Sequence, residues 1–361
     1  MAGNSPKSLN ASHLVSPLSL VGLALTVFVG AQSTAWTIFA VIILGLSVVT
    51  AVHHAEAIAA KVGPSLGAIV LALAVTVIEV GLIVSMMTND TADSAVVARD
   101  TVFAAVIVVT NGILGVCMLI SGLRYREVEF HAAGTNALLA ALAVLAGLTL
   151  VLPNYTTSTA GPTYNTFQLA FASVASLALY GCLLFAQTKT HKDYFEPAQG
   201  SAAGGHGAAS PQRPWLSLLC LLMSLGAVIG FAKTLSPAIE AGVAALGAPR
   251  ATVGIVIALL VLAPETLAAV SAARHNQLQT SVNLALGSGA ASIALTIPVV
   301  SGFVIFTNRS LVLGLEPKNV AILALTFLTG SLTLGRGTST ALQGMIHIVL
   351  LCAFLALSFV P

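Results

Sequence analysis

Two glutamates, Glu79 and Glu265, lie near the middle of apolar stretches long enough to cross a bilayer, and their surroundings repeat one another. From Gly63 the chain reads GPSLGAIVLALAVTVIEV; from Pro249 it reads PRATVGIVIALLVLAPET, with the glutamate sixteen residues on in both. A charged side chain at the bilayer midplane costs at least about 2.5 to 3.5 kcal/mol, so two in related positions imply a use. Burial disfavours the charged form of a carboxyl group and a nearby cation favours it, so each must be protonated or paired with a cation. Proton and cation then compete for the same oxygens. Such a pair suits a divalent cation, two protons, or a monovalent cation with one proton retained.

A second acidic pair follows the same duplication. Glu56 begins EAIAAKVG and Glu240 begins EAGVAALG, and the pattern E-A-x-x-A-x-x-G precedes each membrane glutamate by 23 residues in one half and 25 in the other. These positions, with His54 beside Glu56, are candidates for a proton relay or gate; the alternative is a glutamate that faces water at the end of a span or caps a helix. Two carboxylates supply at most four oxygens, whereas calcium takes about six to eight, so neutral donors are needed as well. Pro264 removes an amide donor and frees the carbonyl of Leu260. Thr76 lies three residues before Glu79 on the same helical face, and Thr266 follows Glu265 directly. The next span of each half adds Asn111, in VIVVTNGILG, and Asn283 and Ser288, in SVNLALGSGAAS. An amide in hydrocarbon either faces such a site or bonds across helices as packing glue.

The elements that must hold these groups are helices in a membrane. Apolar residues make up 57% of the chain and charged ones 7%, the reverse of what a soluble surface requires. Eleven apolar runs read as spans: 15–31, 35–53, 66–88, 102–122, 133–152, 165–187, 214–232, 250–273, 279–303, 318–334 and 340–360. The first is read as a retained helix, since no small-residue cleavage signal follows it. A polar, proline-punctuated linker, 188–213, parts two sets of five spans. An odd number of spans per repeat makes corresponding helices cross in opposite directions. The expected fold is therefore an all-α polytopic membrane protein with residues 1–33 as tail and first helix, 34–187 and 214–361 as inverted five-helix repeats, and 188–213 as a cytoplasmic connection. Placing the N-terminus in the cytoplasm puts nine Lys and Arg residues inside and five outside. The basic residues form no patch for nucleic acid. Cys117, Cys182, Cys220 and Cys352 all fall in apolar spans without metal-ligand spacing and read as packing residues.

Four segments carry a resemblance to a known family: VHHAEAIAAKVGPSLGAIVLALAVTVIEV, TVFAAVIVVTNG, GLRYREVEFHAAGTN and VLAPETLAAVSAARHNQLQTSVNLALGSGAASIALTIP. They resemble the bacterial calcium/proton antiporters of the cation/calcium exchanger superfamily, over most of the chain. The resemblance implies a multi-pass protein of a bacterial inner membrane that trades Ca2+ for protons by alternating access, with Glu79 and Glu265 as the carriers and no resident cofactor. TVIEV and LAPET stand here in place of the GNATE and GNAAE signatures of vacuolar-type exchangers, which leaves sodium/proton or potassium/proton exchange on the same glutamates as the alternative. Ser288 between two glycines, with His347 in the last span, invites a remote reading as an intramembrane serine protease, but that leaves both glutamates unexplained. A passive channel needs a pore lined by rings of ligands rather than single carboxylates in an inverted duplication.

Overall fold

The computed structural model describes residues 11–29, 34–62, 64–88, 95–195, 214–245, 247, 249 and 251–359. The apolar runs form helices: α1 (Ala11–Val29), α2 (Thr34–Val62), α3 (Pro64–Met87), α4 (Val97–Ile107), α5 (Leu114–Tyr125), α6 (Ala132–Ala146), α7 (Thr166–Phe185), α8 (Pro214–Ala245), α9 (Ala251–Val261), α10 (Ala263–Arg274), α11 (Leu278–Thr307), α12 (Pro317–Leu334) and α13 (Ala341–Phe359). Among the described residues, eight helical segments are long and apolar enough to cross a membrane. The bent pair Thr252–Val261 and Ala263–Arg274 counts as a ninth, and Leu14–Val27 and Leu73–Met87 are shorter apolar helices. Together they account for the eleven runs of the sequence. Large apolar side chains such as Leu18, Phe171, Val174, Leu267, Leu332 and Val349 are exposed along these helices, as a surface in contact with acyl chains requires.

The chain forms two compact units, 1–82 with 207–238 and 83–206 with 239–361. Each draws on both halves of the sequence. The first unit contains α1, α2, α3 as far as Leu82 and α8 as far as Ala238. Its helices approach over small residues: a Cβ on Gly81 would lie 2.6 Å from the Ile229 side chain, and one on Gly230 would collide with Leu23. Ser224 Oγ donates to Ser16 Oγ at 3.0 Å between α8 and α1. Other hydroxyls turn back on their own helix, as Ser47 does to the Ile43 carbonyl at 2.7 Å.

The second unit shows the inverted plan directly. The start of α4 lies beside the segment that follows α11, where Val312 N donates to the Ala95 carbonyl at 3.0 Å and Arg99 to that of Gly314 at 3.2 Å. The end of α5 lies beside the segment that precedes α11, where Tyr125 Oη donates to the Arg274 carbonyl at 2.8 Å. So α4–α5 and its counterpart α11 run antiparallel. The same holds for α6 and α12: Phe130 N, before α6, bonds Gly337 O, after α12, at 2.8 Å, and Leu315 N bonds Leu150 O at 2.9 Å at the other end.

Two features depart from uniform helix. Glu127–Glu129 (β1) and Thr338–Thr340 (β2) pair antiparallel, with Val128 opposite Ser339, and stitch corresponding loops of the two halves together. Between α4 and α5 the chain winds into a π-helical turn, Val108–Ile113, that carries Asn111. Beside it α5 and α13 touch backbone to backbone, because a Cβ on Gly122 would collide with the Ala341 amide and one on Gly344 with that of Leu119. Gly122→Ala should therefore cost about 1 to 3 kcal/mol of stability, measured as a lowered denaturation midpoint of the detergent-solubilised protein.

Candidate functional site

Thr76 and Glu79 sit on α3 in the first unit, 6% and 3% exposed, three residues apart and so on one face. On α2 of the same unit His54 is buried, Glu56 half-buried and His53 exposed. The two imidazoles stand edge to face with centroids 5.6 Å apart. Glu240 lies on α8, with its side chain outside the described residues.

Glu265 sits in the second unit, 7% exposed, and its local structure follows from Pro264. The proline lacks the N–H that would bond Leu260, and its ring disfavours a continuous helix. The helix accordingly stops at Val261, Leu262 takes φ −84° and ψ 0°, and α10 begins afresh with Pro264 in its first turn. The two pieces meet at 58°. Glu265 is thereby placed in the first turn of a helix, where free backbone N–H groups and the positive end of the macrodipole lie. The Thr266 hydroxyl donates back to the Leu262 carbonyl at 2.6 Å, which leaves its lone pairs as its remaining coordinating capacity.

The amides of the following spans have defined partners. Asn111 is fully buried; its Nδ2 donates to Thr326 Oγ1 at 2.8 Å, and its Oδ1 lies 3.0 Å from His347 Nδ1. His347, also fully buried, places Nε2 2.8 Å from Thr333 Oγ1. Both ring nitrogens are thus engaged, which removes the imidazole as a base for Ser288, a half-buried residue of α11. Asn283 accepts from Gln279 Nε2 at 2.8 Å and donates to the Phe195 carbonyl, while Gln279 Oε1 accepts from His131 N at 2.6 Å. These contacts tie the start of α11 to the end of the chain that leads into the linker.

Sequence reasoning named Asn111 but not its partners Thr326 and Thr333, and it used His347 only in the protease reading. An ionisable residue inside a membrane span was the available signal. Among the described residues no group of three or more His, Cys, Asp or Glu side chains is assembled for a metal ion, so any ion held here relies on neutral oxygens besides the carboxylates.

Comparison with known proteins completes the description. The family described as sodium/calcium exchanger protein matches residues 32–189 and 216–360. The chain is 44% identical to y4hA of Sinorhizobium fredii, whose name describes a candidate ionic transporter, over 87% of this chain and 86% of that protein. It is 30% identical to the sodium-potassium/proton antiporter ChaA of Escherichia coli, over 99% of each. In fold it is similar to the crystal structure of the Ca2+/H+ antiporter YfkE, with a TM-score of 0.71 and 15% identity, covering 97% of this chain and 98% of that one.

Pro264→Ala restores an amide opposite the Leu260 carbonyl and lets α9 and α10 straighten. The expected outcome is slower ion exchange at unchanged expression, read as the initial rate in membrane vesicles.

Proposed function

The chain belongs to the sodium/calcium exchanger protein family and is a multi-pass membrane cation exchanger, and we propose that it trades metal cations for protons on Glu79 and Glu265 by alternating access. The observation that carries this reading is the burial of both carboxylates, 3% and 7% exposed, at duplicated positions in membrane-spanning helices. A carboxylate in that setting is held either by a proton or by a cation, and release of one is compensated by binding of the other. Thr76, Asn111, Asn283 and Ser288, with the Leu260 carbonyl, are the neutral donors that complete the coordination. Glu56, Glu240 and His54 act as relay or gate between the site and water. The metal is cargo, and no resident cofactor is invoked.

Calcium is the first cargo on charge grounds, since two carboxylates neutralise one divalent ion and oxygen is its preferred ligand. A second reading, with sodium or potassium and one retained proton, is favoured by the end-to-end likeness to ChaA, 30% identical over 99% of both chains. Proton movement in everted vesicles, followed while calcium, sodium and potassium are added in turn, separates the two; silence toward all three ends both. Glu79→Gln and Glu265→Gln should each abolish exchange while the protein still reaches the membrane, and wild-type transport in either refutes the shared site. Glu56→Gln should slow exchange or move its pH profile; an unchanged profile makes Glu56 a solvated helix end.

A further inference from the structure

We infer that His347 is a positioning residue for ion binding: it fixes the orientation of the Asn111 amide, and with it which atom of that amide faces an ion. The inference rests on the reading of Asn111 as a cation ligand. A carboxamide turned by 180° presents NH2 where it had presented oxygen, and only the oxygen coordinates a cation. At a fully buried position water cannot make the two orientations equivalent, so the protein partners decide.

Here they decide in one sense. The Asn111 oxygen can only accept, so His347 Nδ1, 3.0 Å away, carries the ring proton. Thr326 Oγ1 takes the Nδ2–H at 2.8 Å. Turning the amide over would set its NH2 against the imidazole N–H, donor against donor. In the neutral ring Nε2 is then the acceptor for the Thr333 hydroxyl at 2.8 Å, a hydroxyl that also lies 2.8 Å from the Thr329 carbonyl. The ring is therefore held at both ends, and it holds the amide in turn. One lone pair of Oδ1 is used by His347 and the second is left for an ion.

The surrounding helices are shaped to seat this pair. A Cβ on Gly115 would lie 2.9 Å from the His347 Cβ, so a glycine on α5 opens the space in which α13 delivers the imidazole. The π-helical turn at Val108–Ile113 sets the side chain of Asn111 out of the register of the α-helices on either side, a distortion that recurs at functional sites. Packing glue alone would need hydrogen bonds but no particular orientation of the amide.

The test is a double-mutant cycle on the half-saturating concentration of whichever of calcium, sodium or potassium drives proton movement in wild-type vesicles. His347→Leu should raise that concentration by about 10- to 100-fold, the usual effect of removing the group that orients a metal ligand, with little change in maximal rate. His347→Gln, which can still donate an N–H to the Asn111 oxygen, should recover most of the affinity. Asn111→Ala should give a similar shift, and His347→Leu added to it should produce no more. If His347→Leu lowers the unfolding temperature but not the ion affinity, or if the two shifts multiply, the histidine is packing and the inference fails. Should Asn111→Ala keep wild-type affinity, the ligand reading itself fails, an outcome distinct from an altered Asn111→Ala beside an unaltered His347→Leu. If His347→Leu does not fold, Thr333→Val keeps the imidazole and removes its outer anchor; a smaller shift that vanishes in the Asn111→Ala background supports the inference, and no shift overturns it.

Discussion

A polar atom carried into hydrocarbon has no water to bond, so it must find its partner inside the protein. That constraint shapes most of what is seen here. Hydroxyls in the spans return to the carbonyl one turn back, as in Ser47, Thr110, Thr149 and Thr266. The segments between helices in the second unit bond one another at each end, Phe130 to Gly337 at one and Val312 to Ala95 at the other. Irregular backbone is confined to buried places. The π-helical turn around Asn111 is wholly buried, and the break before Pro264 lies beside the buried Glu265.

The two halves share a plan but interrupt it at different helices. In the first half the glutamate helix α3 runs unbroken and the next helix carries the π-helical turn. In the second half the glutamate helix breaks between α9 and α10, and the next helix, α11, runs without interruption from Leu278 to Thr307. The carboxylates are therefore not electrostatic equivalents. Glu265 stands at a helix start, among amide hydrogens that have no carbonyl to bond, whereas Glu79 stands inside a helix whose amides are already committed. A duplicated device with unequal arms can load its proton and its ion in a preferred order.

Much of this was legible in the sequence because hydropathy and duplication are strong signals in a membrane protein. The eleven runs, the repeated glutamates and the break forecast by Pro264 all rest on rules that act within about twenty residues. The partners of Asn111 do not: Thr326 is 215 residues away and His347 236, and VIVVTNGILG reads as one more apolar run with nothing to announce a π-helical turn. The three-residue strands β1 and β2 were equally hidden, since they exist only because two loops meet. Asn283 looked like another donor for the buried ion site; its amide is in fact bonded to Gln279 and Phe195, next to the linker.

The same separation of local from distant signals bears on ion choice. The glutamates supply charge, and that charge is common to calcium held by two carboxylates and to sodium or potassium held with one proton retained. What distinguishes these ions is the number of neutral oxygens that join in, because calcium asks for about six to eight ligands and the carboxylates offer four at most. Each neutral donor seen here has part of its capacity already spent: the Thr266 hydrogen on Leu262 and one Asn111 lone pair on His347. Selectivity in this chain thus resides in the groups that orient and occupy the neutral donors. Relatives with the same pair of acids can then be named for different ions.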